Sequence, residues 1–407
     1  MNKRPWHDLG IFDEPYLNEQ LLFYLGSTWQ GMADIGECLD TASRVDAADE
    51  DSWPREWRKT AKRIRRIAKS SEAKGHLISA GEAYLRAANY YMAALHRYPD
   101  PYARDVAKMA CQSTRCFRKA LKYLPLHGKR VKIPYEKTTL PGYFFRSPCP
   151  RGEKAPLLIV HPGRDTWAEH CKFLAEGAIK RGYHCLLFEG PGQGKVIRLQ
   201  NLPCRPDWEK VVTPVVDFAI GQPGVDPERI ALMGLSMGGA LAPRAAAFEQ
   251  RLKICIANPG VYSWKNFYYG RIAHYLTITP AELEKLVETD PEGFNAKIEA
   301  LMAVNALARW GMRDEMWKYG ASSPVDFMHK VKAFTNEGIA EQISCRTLVM
   351  NGTGDDDRQQ AKELYEALNA PKDYMLFTEE DTAMLHCQVG ALAVSSGRLF
   401  DWLDEYL

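Results

Sequence analysis

Long apolar runs and paired cysteines are both missing from this 407-residue sequence. No stretch of 18 apolar residues occurs, and residues 1–8 lack the apolar segment of a signal peptide, so we expect neither a membrane span nor secretion. The ten cysteines are scattered and form no CxxC pair, which favours reduced structural thiols over a disulfide framework. These absences predict a cytoplasmic protein.

An excess of charge of one sign is also missing. The net charge is +2 with 26% charged residues, which argues against a partner recognised by charge, such as nucleic acid or a membrane surface. A small-molecule substrate fits this composition better. Whether the chain forms a homodimer is left open.

The glycine spacing of a phosphate-binding motif is missing as well, although one glycine-rich run could be mistaken for such a motif. Residues 189–194, Glu-Gly-Pro-Gly-Gln-Gly, have neither dinucleotide-binding nor P-loop spacing, so a strand-to-helix turn is the better interpretation. We therefore expect no nucleotide cofactor, and we predict no other cofactor or metal ion.

The first part of the chain, residues 1–127, carries helical signals and almost no strand signal. Segment 79–95 places apolar and small residues at a spacing of 3.6, and a second such segment covers about residues 102–123. Pro99 and Pro101 separate the two segments. We predict an N-terminal helical domain over residues 1–127 that covers an active site.

From Lys129 the sequence changes to short apolar runs that alternate with helical segments, the pattern of an α/β fold with a mostly parallel sheet. Continuous apolar runs suit strands that are buried on both faces. The strand runs are residues 130–134, 140–145, 155–160, 184–188, 229–233, 253–257, 346–350 and 373–377. Aromatic-rich, helix-like sequence interrupts the alternation over about residues 261–341, and we predict a helical cap there, with Tyr268 and Tyr269 as substrate contacts. The predicted catalytic domain spans residues 128–407.

The central motif is Gly-Leu-Ser-Met-Gly at residues 234–238, which follows an apolar run and precedes an alanine-rich helical segment. In a nucleophile elbow the serine occupies a strained strand-to-helix turn, and Cβ atoms two residues to either side would clash, hence the two glycines. The pattern predicts Ser236 as a nucleophile at the top of the sheet. A glycine-rich junction with a bystander serine is the alternative.

In this type of sheet the acid follows a late strand and the histidine follows the last strand. Asp355 comes after the run at 346–350 and lies at the usual offset from Gly352, the glycine that follows this run. Asp356 is the alternative acid. His386 stands in the loop after the run at 373–377, just before the terminal helix. We predict His386 as the base and Asp355 as its partner. The rival histidines all precede the serine in the chain: His161, His170 and His184.

The loop after the third apolar run supplies the second oxyanion donor in such a sheet. We predict two backbone N–H donors: Met237, at the start of a helix, and Arg164, after a turn at Gly163. The same loop carries Asp165 and Glu169. Each of these acids has two interpretations, as a residue of the helix start or as a substrate contact.

Four segments together resemble one group of α/β-hydrolases: residues 163–169, 189–194, 234–238 and 386–388. The group includes 2,6-dihydroxypseudooxynicotine hydrolase, the FrsA-like esterases and the fungal polyketide-shortening hydrolases of pigment biosynthesis. The resemblance covers nearly the whole chain, because members of the group carry an N-terminal helical domain of about this size. It implies a Ser-His-Asp enzyme that acts on a carbonyl, in several members by cleaving a carbon–carbon bond next to a ketone. It also implies that Glu169 matches an acidic residue near the substrate, whereas Pro162 and Arg164 depart from the usual loop pattern.

The leading hypothesis is a serine hydrolase that cleaves an ester or a ketone carbon–carbon bond of a small aromatic or polyketide-like metabolite through Ser236, His386 and Asp355. A second hypothesis keeps the fold and the base but replaces hydrolysis by elimination, condensation or acyl transfer, because the same oxyanion donors can serve an enolate. A third, of another class, is a non-catalytic binding protein, against which an intact candidate triad argues.

Overall fold

The computed structural model describes residues 5–148, 153–355 and 358–407, and an eight-stranded sheet lies at its centre. The strands are β1 (Gly128–Tyr135), β2 (Thr138–Phe145), β3 (Ala155–His161), β4 (His184–Phe188), β5 (Val225–Leu235), β6 (Ile254–Asn258), β7 (Arg346–Gly352) and β8 (Lys372–Phe377). Their order across the sheet is β1-β2-β4-β3-β5-β6-β7-β8. The β1–β2 and β2–β4 pairings are antiparallel, and the remaining pairings described are parallel. The predicted α/β architecture with a mostly parallel sheet is confirmed.

Parallel pairing brings the ends of three central strands together at one edge of the sheet. His161 of β3 pairs with Gly234 of β5, and Leu235 of β5 pairs with Asn258 of β6. The segments that leave β3, β5 and β6 therefore start side by side, which is where catalytic residues are brought together in open sheets of this kind.

Side chains of the sheet alternate between two apolar cores. Leu158 and Val160 of β3 belong to the first core, and Leu157 and Ile159 belong to the second. Because both faces are covered, β3, β4 and β6 are buried at every position, which explains their continuous apolar sequences.

Helices precede the sheet in the chain: α1 (Pro15–Gly26), α2 (Ile35–Ala42), α3 (Ser52–Ala73), α4 (Leu77–Leu95) and α5 (Arg104–Tyr123). Helix α4 packs between α3 and α5 and buries most of its length. Two tryptophans of α3 anchor this packing: the indole of Trp53 donates to the Ala93 carbonyl at 3.0 Å, and Trp57 is fully buried.

The later helices are α6 (Lys172–Lys180), α7 (Gly194–Gln200), α8 (Glu209–Ile220), α9 (Gly238–Phe248), α10 (Trp264–Leu276), α11 (Pro280–Thr289), α12 (Pro291–Val304), α13 (Ala306–Tyr319), α14 (Pro324–Val331), α15 (Arg358–Ala367) and α16 (Leu392–Tyr406). Helices α10 to α14 lie in the chain between β6 and β7, in the segment for which a helical insertion is predicted, and are called the cap below.

The N-terminal helices share the first apolar core with one face of the sheet. That core contains Trp57 of α3 and Val160 of β3 together with Phe400 of α16. A polar contact adds to it, because the ammonium of Lys172, which is 2% exposed, donates to the Gln30 carbonyl at 2.8 Å. The helices therefore pack on the sheet as part of one core.

In the described segments, the nine cysteines that the structure includes carry free thiols. Across the same segments, the structure contains no helix with both the length and the apolar character needed to cross a membrane.

Candidate active site

Ser236 lies in the tight turn between β5 and α9. Its φ of +58° is in the left-handed region that a residue with a side chain rarely adopts. A Cβ on Gly234 would lie 2.0 Å from the carbonyl oxygen of Gly238, so the turn requires glycine at that position. This strained geometry presents the Ser236 hydroxyl at the carboxyl ends of the parallel strands.

An unbroken chain of hydrogen bonds joins the three predicted catalytic side chains. Oγ of Ser236 lies 2.9 Å from Nε2 of His386, and Nδ1 of His386 lies 2.9 Å from Oδ2 of Asp355. In the tautomer with Nδ1 protonated, His386 donates to Asp355 and accepts from the serine hydroxyl. Asp355 is 7% exposed, whereas 49% of the His386 side chain is exposed. The alternative acid, Asp356, lies outside the described residues.

The surroundings of His386 favour its protonated form. Partial desolvation lowers the pKa of the half-exposed imidazole, but the Cys387 sulfur and the Asp355 carboxylate raise it more, so the pKa lies well above 6.5. A carboxylate that stabilises the imidazolium suits a base that must hold a proton during a reaction.

A buried pair of amides holds the loop that carries His386 against the end of β6. Asn258 and Gln388 exchange two hydrogen bonds, at 2.9 and 3.1 Å between nitrogen and oxygen, and both side chains are buried. The Asn258 carbonyl also accepts from the backbone N–H of Ser236 at 2.7 Å. Asn258 therefore links the turn that carries Ser236 to the loop that carries His386. This residue was not predicted from the sequence, although an asparagine that ends a buried strand and a glutamine two residues after His386 are signals for it.

The predicted oxyanion donors belong to segments that contact Ser236. Gly163 packs so closely on the turn that a Cβ there would lie 2.5 Å from Cβ of Ser236 and 3.0 Å from the backbone nitrogen of Met237. Met237 directly precedes α9, and Arg164 directly follows Gly163. The role of these two N–H groups as oxyanion donors stays a prediction.

The side chain of Arg164 belongs to a partly buried charged cluster that was not predicted from the sequence. Its guanidinium donates to Asp165 at 2.7 Å and to the Tyr268 hydroxyl at 3.1 Å, and it pairs with Glu315 of α13. Lys318 of α13 lies 2.8 Å from Oδ1 of Asp165. Burial by itself would raise the pKa of the Asp165 carboxyl, but Arg164 and Lys318 hold it well below its usual range. The cluster ties the loop after β3 to the cap.

Glu169 is fully buried in a second charged cluster. The ammonium of Lys195 donates to its two carboxylate oxygens at 2.8 and 2.6 Å, and the Tyr143 hydroxyl donates to one of them at 2.6 Å. Lys195 also donates to Glu189 at 2.7 Å. The predicted contact of Glu169 with a substrate would require these partners to be displaced.

The two tyrosines predicted to contact substrate have different surroundings. The ring of Tyr268 packs edge-on against Phe327 at 4.9 Å between ring centres, and its hydroxyl receives the hydrogen bond from Arg164 described above. Tyr268 also lines a cavity in the cap. Tyr269 packs under Lys265 of its own helix, whose ammonium lies 5.3 Å from the ring centre.

The rival histidines have structural surroundings. His161 is buried, and burial lowers its pKa to about 4. His170 accepts from the Trp167 backbone N–H at 3.1 Å, and His184 accepts from the Ser147 backbone N–H at 2.9 Å. The base predicted from chain order, His386, is the histidine that contacts Ser236.

Comparison with known proteins agrees with this fold. A model of the alpha/beta hydrolase family matches residues 157–393, which is more than half of the chain. The chain therefore belongs to the alpha/beta hydrolase family, as the resemblance predicts.

Particular relatives extend the likeness to nearly the full length. The chain is 33% identical to 20-hydroxy-prefusarin hydrolase FUS2 of Gibberella moniliformis and 32% identical to hydrolase LUC6 of a Fusarium species, and each alignment covers 97% of both chains. Among solved structures, 2,6-dihydroxy-pseudo-oxynicotine hydrolase superposes with a TM-score of 0.72 at 20% identity, over 94% of this chain and 95% of that one. This structural likeness shows that the fold is shared, including the helices before the sheet.

Proposed function

We propose that the protein is a serine hydrolase that cleaves a carbonyl compound through Ser236, His386 and Asp355. The observation that carries the proposal is the chain of two 2.9 Å contacts from hydroxyl to imidazole to carboxylate. The position of Ser236 in a strained turn, in contact with two segments that offer backbone N–H groups, supports it further.

In the proposed reaction, Nε2 of His386 accepts the proton of the Ser236 hydroxyl while Oγ attacks the carbonyl carbon. The backbone N–H groups of Met237 and Arg164 donate to the oxyanion. The bond to the leaving group then breaks, and that group takes the proton from His386. Water, deprotonated by His386, then attacks the acyl carbon, the bond from that carbon to Oγ of Ser236 breaks, and His386 returns the proton to Oγ. Asp355 orients and stabilises the imidazolium throughout.

The proposed substrate is a small aromatic or polyketide-like metabolite that carries an ester or a ketone. The names of two similar proteins, hydrolases of 20-hydroxy-prefusarin and of 2,6-dihydroxy-pseudo-oxynicotine, support a small metabolite. For a ketone, the leaving carbanion or enolate needs a proton. In this proposal His386 supplies it, since the Glu169 carboxylate is buried and paired.

The test is covalent labelling together with substitution of the nucleophile. A fluorophosphonate should attach to Ser236, as located by peptide mass spectrometry, and Ser236→Ala should abolish both labelling and turnover of p-nitrophenyl esters. A label on another residue, or none on active protein, would contradict the proposal. Incorporation of labelled oxygen from water into the product separates hydrolysis from elimination, condensation or acyl transfer.

A further inference from the structure

The glycine-rich run at residues 189–194 forms the turn between β4 and α7, and Gln193 lies at its end. Gln193 directly precedes α7 and is 1% exposed. Gly192 has a φ of +81°, and a Cβ on it would clash with Cys204, so the turn requires glycine at that position. The turn therefore places a neutral side-chain amide in the interior, where its polar atoms need partners.

The amide of Gln193 bonds to two different segments. Its oxygen accepts from the backbone N–H of Gly190 at 2.9 Å, within the same turn. Its nitrogen donates to the carbonyl of Pro162, in the loop after β3, at 2.5 Å. These partners fix the orientation of the amide, because the opposite orientation would place nitrogen against an N–H and oxygen against a carbonyl. Gln193 thus ties the loop after β3 to the turn after β4.

The peptide that joins Pro162 to Gly163 is held at both of its polar groups. In the tautomer with Nδ1 protonated, His161 also donates to the Pro162 carbonyl, at 3.1 Å. On the other side of the peptide, the N–H of Gly163 donates to Oγ1 of Thr166 at 3.4 Å. Because a peptide is planar, partners at its carbonyl and at its N–H set the direction in which the chain continues to Arg164.

This peptide lies against the turn that carries Ser236. Gly163 packs on Ser236 so closely that no Cβ fits between them. Within the described segments, the backbone N–H groups of Arg164 and Met237 have no acceptor, so both are available to an oxyanion. Such donors act at distances of about 2.7–3.1 Å from the oxyanion, so a rotation of the Pro162 peptide that moves the Arg164 N–H would weaken their effect.

We propose that Gln193 is a positioning residue: its buried amide holds the Pro162 carbonyl and thereby keeps the Arg164 N–H beside Ser236, where it donates to the oxyanion. The assignment rests on the proposed function, because it takes this N–H as an oxyanion donor. Gln193 acts on the reaction through the loop and not through the substrate, since its side chain is buried and bonded to backbone groups.

Gln193→Met tests the assignment, and Gln360→Met is a matched control. Gln360 of α15 is also buried, and its oxygen accepts from the Ser263 N–H at 2.7 Å. Both variants lose a buried amide, so both should unfold at lower urea concentration. With p-nitrophenyl acetate, Gln193→Met should lower kcat about tenfold or more and change KM less than about twofold, because the oxyanion develops only in the transition state. Gln360→Met should keep the wild-type kcat.

A thionoester separates a misplaced donor from a general loss of structure. Its sulfur accepts hydrogen bonds weakly, so the ratio of kcat/KM for an ester over its thionoester measures how well the donors fit the oxyanion. The ratio should fall in Gln193→Met and equal the wild-type ratio in Gln360→Met. His161→Phe removes the other donor to the Pro162 carbonyl and should lower the ratio as well. It replaces Gln193→Met if that variant does not fold, and an unchanged ratio in the variant that folds would overturn the assignment.

Crystal structures separate this assignment from the proposed function. In Gln193→Met, the Pro162 carbonyl should turn and Gly163 should withdraw from Ser236 relative to the wild type. A loop that keeps its wild-type position refutes the positioning role, whatever the activity. If the wild type hydrolyses no ester while the loop does move in Gln193→Met, the proposed function fails and the role of Gln193 in holding this loop stands.

Discussion

The Cys387 sulfur and the Asp355 carboxylate are the two groups that raise the pKa of His386. A base must be neutral to accept a proton, so activity falls as the pH drops through the pKa of His386. Because that pKa is raised well above 6.5, the acidic limb of the kcat/KM profile should lie above pH 6.5. The neighbouring carboxylate contributes to this position, which makes the limb a readout of the contact between Asp355 and His386.

Replacement of that carboxylate should change both the rate and the profile. Asp355→Asn removes the charge that stabilises the imidazolium, so kcat should fall about 100-fold or more and the acidic limb should move to lower pH. Steady-state kinetics from pH 5 to 9 measure both effects. Asp356→Asn and Asp357→Asn serve as controls from the same run of acids, and a larger loss at Asp356 would reassign the acid.

Single residues differ in how well the sequence predicts them. Ser236 could be predicted because its turn imposes glycines at fixed spacing, and the order of Asp355 and His386 follows from the order of the strands. The partners of Glu169 could not, since Lys195 and Tyr143 reach it from other elements and no local spacing encodes that contact. The pairing of Glu315 could not be predicted for the same reason, because its partner Arg164 lies about 150 residues earlier in the chain.

Among the structural elements, the end of β6 is linked to the loop after β8, which carries His386. The two are joined by the Asn258–Gln388 amide pair, and the same strand end accepts the Ser236 N–H. Such a link acts on the geometry between Ser236 and His386.

Removing one member of this pair should leave a buried amide without a partner. Gln388→Met should therefore lower the free energy of unfolding by about 1–3 kcal/mol and lower kcat more than it changes KM. Urea denaturation and steady-state kinetics measure these changes. The double variant Asn258→Leu with Gln388→Met should recover part of the stability, because two apolar groups replace both partners. Wild-type stability and kcat in Gln388→Met would show that the pair does not position the base.

The elements of the sheet could be predicted because their strands are buried on both faces and read as apolar runs. The cap could be predicted only as helix-like sequence. Two of its helices bury few residues, namely Leu283 and Val287 in α11 and Phe294 and Ile298 in α12. So few buried positions do not specify which helix packs on which, so the cavity between the cap helices could not be predicted from the sequence.

On the scale of the whole molecule, the N-terminal helices support the base loop directly. Gly390, just after His386 in the chain, packs against α1: a Cβ there would lie 3.7 Å from Leu22 and 3.0 Å from the ring of Trp6. A Cβ on Gly26 would likewise lie 3.3 Å from the Gly390 nitrogen. The helices thus contact both the sheet and the loop that carries the base.

A chain that lacks residues 1–127 should lose this support and expose the first apolar core. We expect insoluble or inactive protein, measured by sedimentation and by ester turnover. Leu22→Ala tests the same contact in the full-length chain: it should leave a cavity behind Gly390, cost about 2–5 kcal/mol of stability and lower kcat. Soluble truncated protein with full activity on the native substrate would contradict this role.

The shared core also sets an order of events during synthesis. Trp57 and Phe400 belong to one apolar core but are about 340 residues apart in the chain. At roughly 5–20 residues per second, the ribosome needs about 20–70 s to deliver the second after the first. Through that interval the nascent helices carry an apolar face whose last partners, on α16, have not yet been synthesised, so part of that face stays exposed until the chain is nearly complete.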